Sequence, residues 1–140
     1  MTFTGEYYPS IDNNGRLAIP ARLRDGLGER FYITMWYEKC LAIFTELEWE
    51  EVCNSIKGKS LAEAEMLRYY LSSNASLVEP DKQGRIIIPQ YLRENSKIQD
   101  EVAVIGNINR IEIWGKDAWQ SEKDKMNPEK FRQMMRELGF

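Results

Sequence analysis

The sequence predicts an α+β protein in which two internal repeats interleave their hairpins into one pseudo-two-fold β-barrel, with flanking and linker helices. First, Asp12-Asn13-Asn14-Gly15-Arg16-Leu17-Ala18-Ile19-Pro20-Ala21-Arg22-Leu23-Arg24 aligns without gaps onto Asp81-Lys82-Gln83-Gly84-Arg85-Ile86-Ile87-Ile88-Pro89-Gln90-Tyr91-Leu92-Arg93. Second, the likeness continues after a one-residue change of length, with Leu41, Ile43, Phe44 and Trp49 matching Ile111, Ile113, Trp114 and Trp119. Third, a unit of roughly four strands and ~45 residues is too small to bury an adequate core alone. Interleaving two such units also pairs strand edges that would otherwise be exposed.

Each copy opens on an extended run, about Glu6 to Ile11 in the first and Leu77 to Pro80 in the second. The run leads into an Asp-x-x-Gly turn, where Asp can accept from the backbone ahead of it and Gly can take positive φ, as in a tight hairpin. An apolar strand follows, Leu17-Ala18-Ile19 or Ile86-Ile87-Ile88. Pro20 and Pro89 stop it and suit the first position of a short helical turn through Leu23 and Leu92. A second hairpin follows, from Phe31 to Tyr37 and Cys40 to Phe44, or from Val102 to Ile105 and Arg110 to Trp114, rich in aromatic and β-branched residues.

Helices close each copy. Thr45-Glu46-Leu47-Glu48 has capping-box spacing and opens a helix ending near Gly58; Ser60-Leu61-Ala62-Glu63 opens a linker helix to about Ser72 in the same way. Later helix starts are expected near Asp117 and at Asn127-Pro128, and the last segment, Pro128 to Leu138, has no evident counterpart in the first copy. The expected division is a first repeat over 5–58, a linker helix over 59–74, a second repeat over 75–120 and a C-terminal helix over 121–140.

Composition narrows the function. Among 140 residues there is no histidine, which removes the commonest general base and the commonest transition-metal ligand. The two cysteines, Cys40 and Cys53, match no zinc spacing and are expected to be buried apolar residues. No catalytic residue, metal or cofactor is expected. No apolar run approaches the ~20 residues that span a bilayer, and no signal peptide is visible, so the cytosol is the expected address. Net charge is −3, yet Arg16, Arg22 and Arg24 share their segment with one acid, and Lys82, Arg85 and Arg93 do likewise. The acids gather elsewhere, at Glu46, Glu48, Glu50 and Glu51, where a solvated helix face is the simpler reading than a metal site. The chain is locally basic and globally acidic, which favours one binding face over indiscriminate attachment to polyanions.

Arg16 and Arg85 directly follow the turn glycines Gly15 and Gly84. A guanidinium there can project from a rigid base towards phosphate or towards guanine O6 and N7, and turn N–H groups can help hold phosphate oxygens. One such turn is ordinarily only a hairpin with an exposed arginine; its recurrence with the flanking Ile-Pro-x-x-Leu-Arg points to a shared surface. Asp12 and Asp81 fit turn formers or arginine orienters. Arg24 and Arg93 fit either solvated charges or phosphate contacts, and the sequence does not choose. Ile19, Leu23, Ile88 and Leu92 are core positions. Tyr32, Trp36 and Tyr37 could form a base-stacking platform, but a β core is the simpler use of them. Met126, Met134 and Met135 suit flexible apolar contacts of the last helix, at a subunit interface for example.

The doubled Asp-x-x-Gly-Arg-x-x-x-Pro-x-x-Leu-Arg motif resembles that of the MraZ family of bacterial transcriptional regulators. The resemblance extends to Gly5-Glu6-Tyr7, to Cys40-Leu41 before Trp49, and to Ile105-Gly106-x-x-Asn109-Arg110-Ile111-Glu112-Ile113-Trp114. It implies two fused AbrB-like swapped-hairpin units and a cytoplasmic, nucleoid-associated homo-oligomer, in the form of a ring. It implies binding to short direct repeats of double-stranded DNA in the promoter of the division and cell-wall gene cluster, including the regulator's own gene. Carried over, the DNA-binding positions fall on Arg16 and Arg85, with Asn14, Lys82 and Gln83 of the turns and Arg24 and Arg93 accompanying them. A scaffold ring without a nucleic-acid role, a small enzyme using carboxylates or Cys40, and an RNA-binding variant are the competing classes.

Overall fold

The computed structural model describes residues 2–140. Its elements run in two series of the same order, strand, strand, helix, strand, strand, helix, helix. The first series is β1 (Glu6–Tyr7), β2 (Arg16–Ala18), α1 (Ala21–Arg24), β3 (Phe31–Trp36), β4 (Cys40–Thr45), α2 (Glu46–Lys57) and α3 (Leu61–Ser73). The second is β5 (Ser76–Val78), β6 (Arg85–Ile87), α4 (Gln90–Asn95), β7 (Val102–Asn107), β8 (Arg110–Gly115), α5 (Lys116–Asp124) and α6 (Pro128–Glu137). The last helix therefore stands in the place of α3, and the expectation that it has no counterpart is corrected.

Local chemistry sets these boundaries. Thr45 Oγ1 accepts from the Glu48 N–H at 3.1 Å, as the capping spacing requires. Ser60 occupies the matching position before α3 but makes no side-chain cap bond. Asn127 Oδ1 accepts from the N–H groups of Glu129 and Lys130, with Pro128 in the first turn, where its missing N–H costs nothing.

The strands are exchanged between repeats. A six-stranded sheet has the order β1-β7-β8-β4-β3-β5, and β2 pairs with β6 in a separate two-stranded ribbon. Swapping the two series leaves this order unchanged on reversal, so an approximate two-fold axis passes between β4 and β8 and through the ribbon. The hydrogen bonding forms two sheets and not the single closed ladder of a barrel. Across the first Asp-x-x-Gly turn the expected hairpin shrinks to one bridge, Ile11 to Leu17, because β2 takes its partner from the other repeat.

One core joins both repeats. Leu17, Ile19 and Leu23 pack with Ile86, Ile88 and Leu92 and with Phe31, Ile33, Ile111 and Ile113, all essentially inaccessible. Burial of each such side chain is worth about 1.5–3 kcal/mol. Neither half could keep this cluster dry alone, which is the energetic reason for the exchange.

Helices cover the outer surfaces. Ile56, Ala64 and Leu71 form a cluster under α2 and α3 with Trp36, Trp49 and Tyr70. Tyr32 stacks on Trp49 at 5.1 Å and Trp36 meets Phe44 edge-on, so both serve packing. Tyr37 instead stands exposed at the hairpin tip with φ 54°. Cys40 is buried as expected, but Cys53 is only half-buried on the rim of α2. Glu46 is held by Arg30 at 2.9 Å. No residue of α6 is buried, and Met126, Met134 and Met135 are exposed.

Candidate nucleic-acid interface

The ribbon on the pseudo-two-fold axis carries the motif arginines. Its register sets Arg16 opposite Ile87, Leu17 opposite Ile86 and Ala18 opposite Arg85. Side chains alternate between the faces of a strand, and directly opposed residues share a face. Leu17 and Ile86 enter the core, so Arg16, Ala18, Arg85 and Ile87 form the outer face. Arg16 and Arg85 are thus diagonal neighbours on one surface, flanked by a turn at either end. With Val78, Glu79, Asp81 and Ile87 they line one open cleft.

Each turn is built by its aspartate. Asp12 Oδ1 accepts from the N–H groups of Asn14 and Arg16, both at 2.9 Å, and Asp81 Oδ1 accepts from Gln83 and Arg85 at the same distance. The Arg16 N–H is the largest influence holding the Asp12 carboxyl below its ordinary range; desolvation opposes it, and the Asn14 N–H and then the charges of Arg16 and Arg85 add to the lowering. Asp81 is lowered in the same way, first by the Arg85 N–H, then by Gln83 and the Arg85 side chain. The glycines close the turns at φ 78° and 76°.

The repeats differ at the guanidinium groups. Arg85 Nε donates to Asp81 Oδ2 at 2.9 Å, a contact that does not involve its terminal amino groups. Arg16 makes no ion pair among the described residues. Asp81 is therefore turn former and arginine orienter together, whereas Asp12 forms only the turn.

Arg24 and Arg93 have a role that sequence reasoning missed. Arg24 Nη1 donates to the Gln83 carbonyl at 3.1 Å, and its guanidinium lies over Gly84. Arg93 lies over Gly15 and donates through Nε to the Ile88 carbonyl at 3.1 Å. Each repeat's arginine thus braces the other repeat's turn. The spacing of nine residues from Gly15 to Arg24, repeated from Gly84 to Arg93, was the available signal, but it gives no hint that the contact crosses between copies. Asn14, Lys82 and Gln83 are exposed on the turns. Ile87, exposed on the same face, went unread because its run looks uniformly apolar.

Exchanged strands, paired turns on one axis and a shared core make this an α+β protein of two interleaved repeats, an arrangement consistent with AbrB-like swapped hairpins. The family model described as "MraZ protein, putative antitoxin-like" matches residues 2–68 and again 71–138. The chain belongs to the MraZ family. A protein named transcriptional regulator MraZ from Desulforamulus reducens is 41% identical over 119 residues, covering 84% of each chain. Its namesake from Caldicellulosiruptor saccharolyticus is 40% identical, over 97% of this chain and 98% of its own. That from Roseiflexus sp. is 40% identical over 99% of both. The second family match runs through α6, in agreement with its place in the repeat.

Proposed function

We propose that this protein is a sequence-specific regulator of transcription that grips double-stranded DNA with the outer face of the β2–β6 ribbon and its two flanking turns. The observation that carries the reading is the convergence of Arg16 and Arg85 on one exposed face about the pseudo-two-fold axis. The names of the relatives, each called a transcriptional regulator, support it. Arg16 and Arg85 contact phosphate or base edges, with Asn14, Lys82 and Gln83 extending the contact from the turn tips. Arg24 and Arg93 act first as positioning residues, holding the turns at a fixed separation. Asp12, Gly15, Asp81 and Gly84 supply the turn backbone.

One such ribbon has few basic groups and gives weak, salt-sensitive attachment. A homo-oligomeric ring gains by engaging several short direct repeats at once, on the order of 10²- to 10⁴-fold where geometry permits. The DNA in this reading is the promoter of the division and cell-wall gene cluster, including the protein's own gene. The site of action is the cytoplasm and its nucleoid. Neither a small-molecule substrate nor a cofactor enters the reading; no helix among the described residues is long and apolar enough to cross a membrane. The test is a gel-shift titration of the purified chain on DNA upstream of its own gene against shuffled DNA, across salt concentrations. Steep salt dependence with preference for the upstream fragment is expected. Absence of binding at low salt overturns the reading in favour of a scaffold, and stronger competition by RNA redirects it.

A further inference from the structure

The repeated order of elements exposes an imbalance. In the first series α3 lies on the body and buries Ala64 and Leu71. Its counterpart α6 buries nothing, although Phe131, Met134, Met135 and Leu138 form an apolar stripe at helical spacing, Leu138 being 75% exposed. Lys130 and Arg132 border that stripe on its two sides, with Glu137 on the same side as Lys130.

A matching surface lies on α3. Its outward side, opposite Ala64 and Leu71, presents a shallow apolar groove lined by Lys59, Ala62, Glu63, Met66 and Leu67, and Met66 is 71% exposed. Glu63 lies within that groove together with Lys59, and Glu65 stands on the other side of Met66 around the helix. The α3 surface thus sets two acids against Lys59, and the margins of the α6 stripe set two cations against Glu137, so the two surfaces carry opposite net signs.

From this complementarity we infer that α6 of one copy docks on the outer groove of α3 in a second copy. This rests on the assembly reading above and names the surfaces that make it. The two surfaces are different patches of the chain, so each copy offers one of each. A contact of that kind does not saturate in a pair; it repeats head to tail and closes into a ring where the rotation allows. It also carries into the assembly the pairing of unlike repeats already seen within the chain, since α3 belongs to the first series and α6 to the second.

The test uses the full chain, with native mass measured by light scattering or mass spectrometry. Charge reversal on either surface, Lys130→Glu with Arg132→Glu or Glu63→Lys with Glu65→Lys, sets like charges face to face and is expected to raise the dissociation constant at least about tenfold. All four changes together restore opposite signs and the wild-type mass. None of these residues is buried, so the fold is retained, with circular dichroism as the check. Met66→Cys with Met135→Cys, in a Cys53→Ser background, should give an interchain disulfide ladder under oxidation. A wild-type chain that remains at 16.4 kDa removes the assembly reading itself. An oligomer indifferent to both reversals keeps that reading and overturns this one. A bond within one chain places α6 on its own α3 and overturns it equally.

Discussion

Arg24 of the first repeat lies over Gly84 of the second, so close that a Cβ on Gly84 would fall 1.5 Å from Arg24 Nη1. Gly84 is also held at φ 76°. Two separate demands meet at one glycine, and they respond differently to mutation. Gly84→Ala displaces the flexible end of Arg24 at modest cost, but it also sets a Cβ in the left-handed region, worth roughly 1–2 kcal/mol. We expect Gly84→Ala to lower thermal stability by about that amount, and Arg24→Ala to relieve only the steric part in the double mutant. Thermal melts of the four proteins of the cycle measure this, and full rescue by Arg24→Ala would show that φ strain contributes nothing.

Arg16 and Arg85 share a face, but only Arg85 is tethered, through Asp81. Arg16→Ala and Arg85→Ala are each expected to weaken binding to upstream DNA while leaving stability within about 0.5 kcal/mol of wild type, the usual range of a surface change. Removal of one phosphate-neutralising guanidinium should flatten the dependence of log K on log salt by about 0.9. Fluorescence anisotropy across a salt series reads both effects. Unchanged affinity in the double mutant, with the fold intact, would move the DNA site elsewhere.

The parts legible in the sequence are those set by local chemistry. The Asp-x-x-Gly turns, the proline stops, the cap at Thr45 and the inward places of Ile19 and Ile88 all follow from neighbours a few residues apart. What stayed hidden is long-range or asymmetric. Arg24 reaches Gln83 across 59 positions, and no periodicity encodes that. Asp12 and Arg16 have the spacing of Asp81 and Arg85, yet only the second pair closes, because rotamer choice at an exposed strand end is free of local constraint. The apolar stripe of α6 looks like any docked helix, since amphipathicity records that a face needs covering and not what covers it.

Asp12 and Asp81 have carboxyls held below their ordinary range, each chiefly by the N–H of the arginine four residues on. A group whose pKa is depressed on folding contributes stability above its unfolded value, and loses it as pH falls through the folded value. The two turns are therefore intact at neutral pH and loosen on acidification below about pH 4, the unfolded aspartate range. Asp12→Asn and Asp81→Asn keep a carbonyl acceptor and should flatten this acid limb while retaining most of the neutral-pH stability; alanine at either place should lose more. Chemical denaturation from pH 7 to 3 distinguishes them. An acid limb unchanged in the double asparagine variant would assign it to other carboxylates.

Glu112 is buried on β8 and satisfied by three donors, the Trp114 indole N–H at 2.9 Å and Asn107 Nδ2 and Arg110 Nε at 2.8 Å. Cys40 lies beside it, Sγ to Oε1 at 3.9 Å, and burial followed by the Glu112 charge pushes its thiol far above the ordinary range. Only the thiolate is nucleophilic. Cys40 should therefore resist iodoacetamide at pH 8 while half-buried Cys53 reacts, so mass spectrometry of the native protein shows one modified thiol and two after denaturation. Glu112→Ala leaves the indole, amide and guanidinium groups without their common acceptor. Breaking a buried charged network in this way costs about 3–5 kcal/mol. Glu112→Gln, which keeps an acceptor, should cost less, and Cys40 should label faster in the alanine variant as the face opens. Equal stability of the alanine variant and wild type would show that the network holds nothing in place.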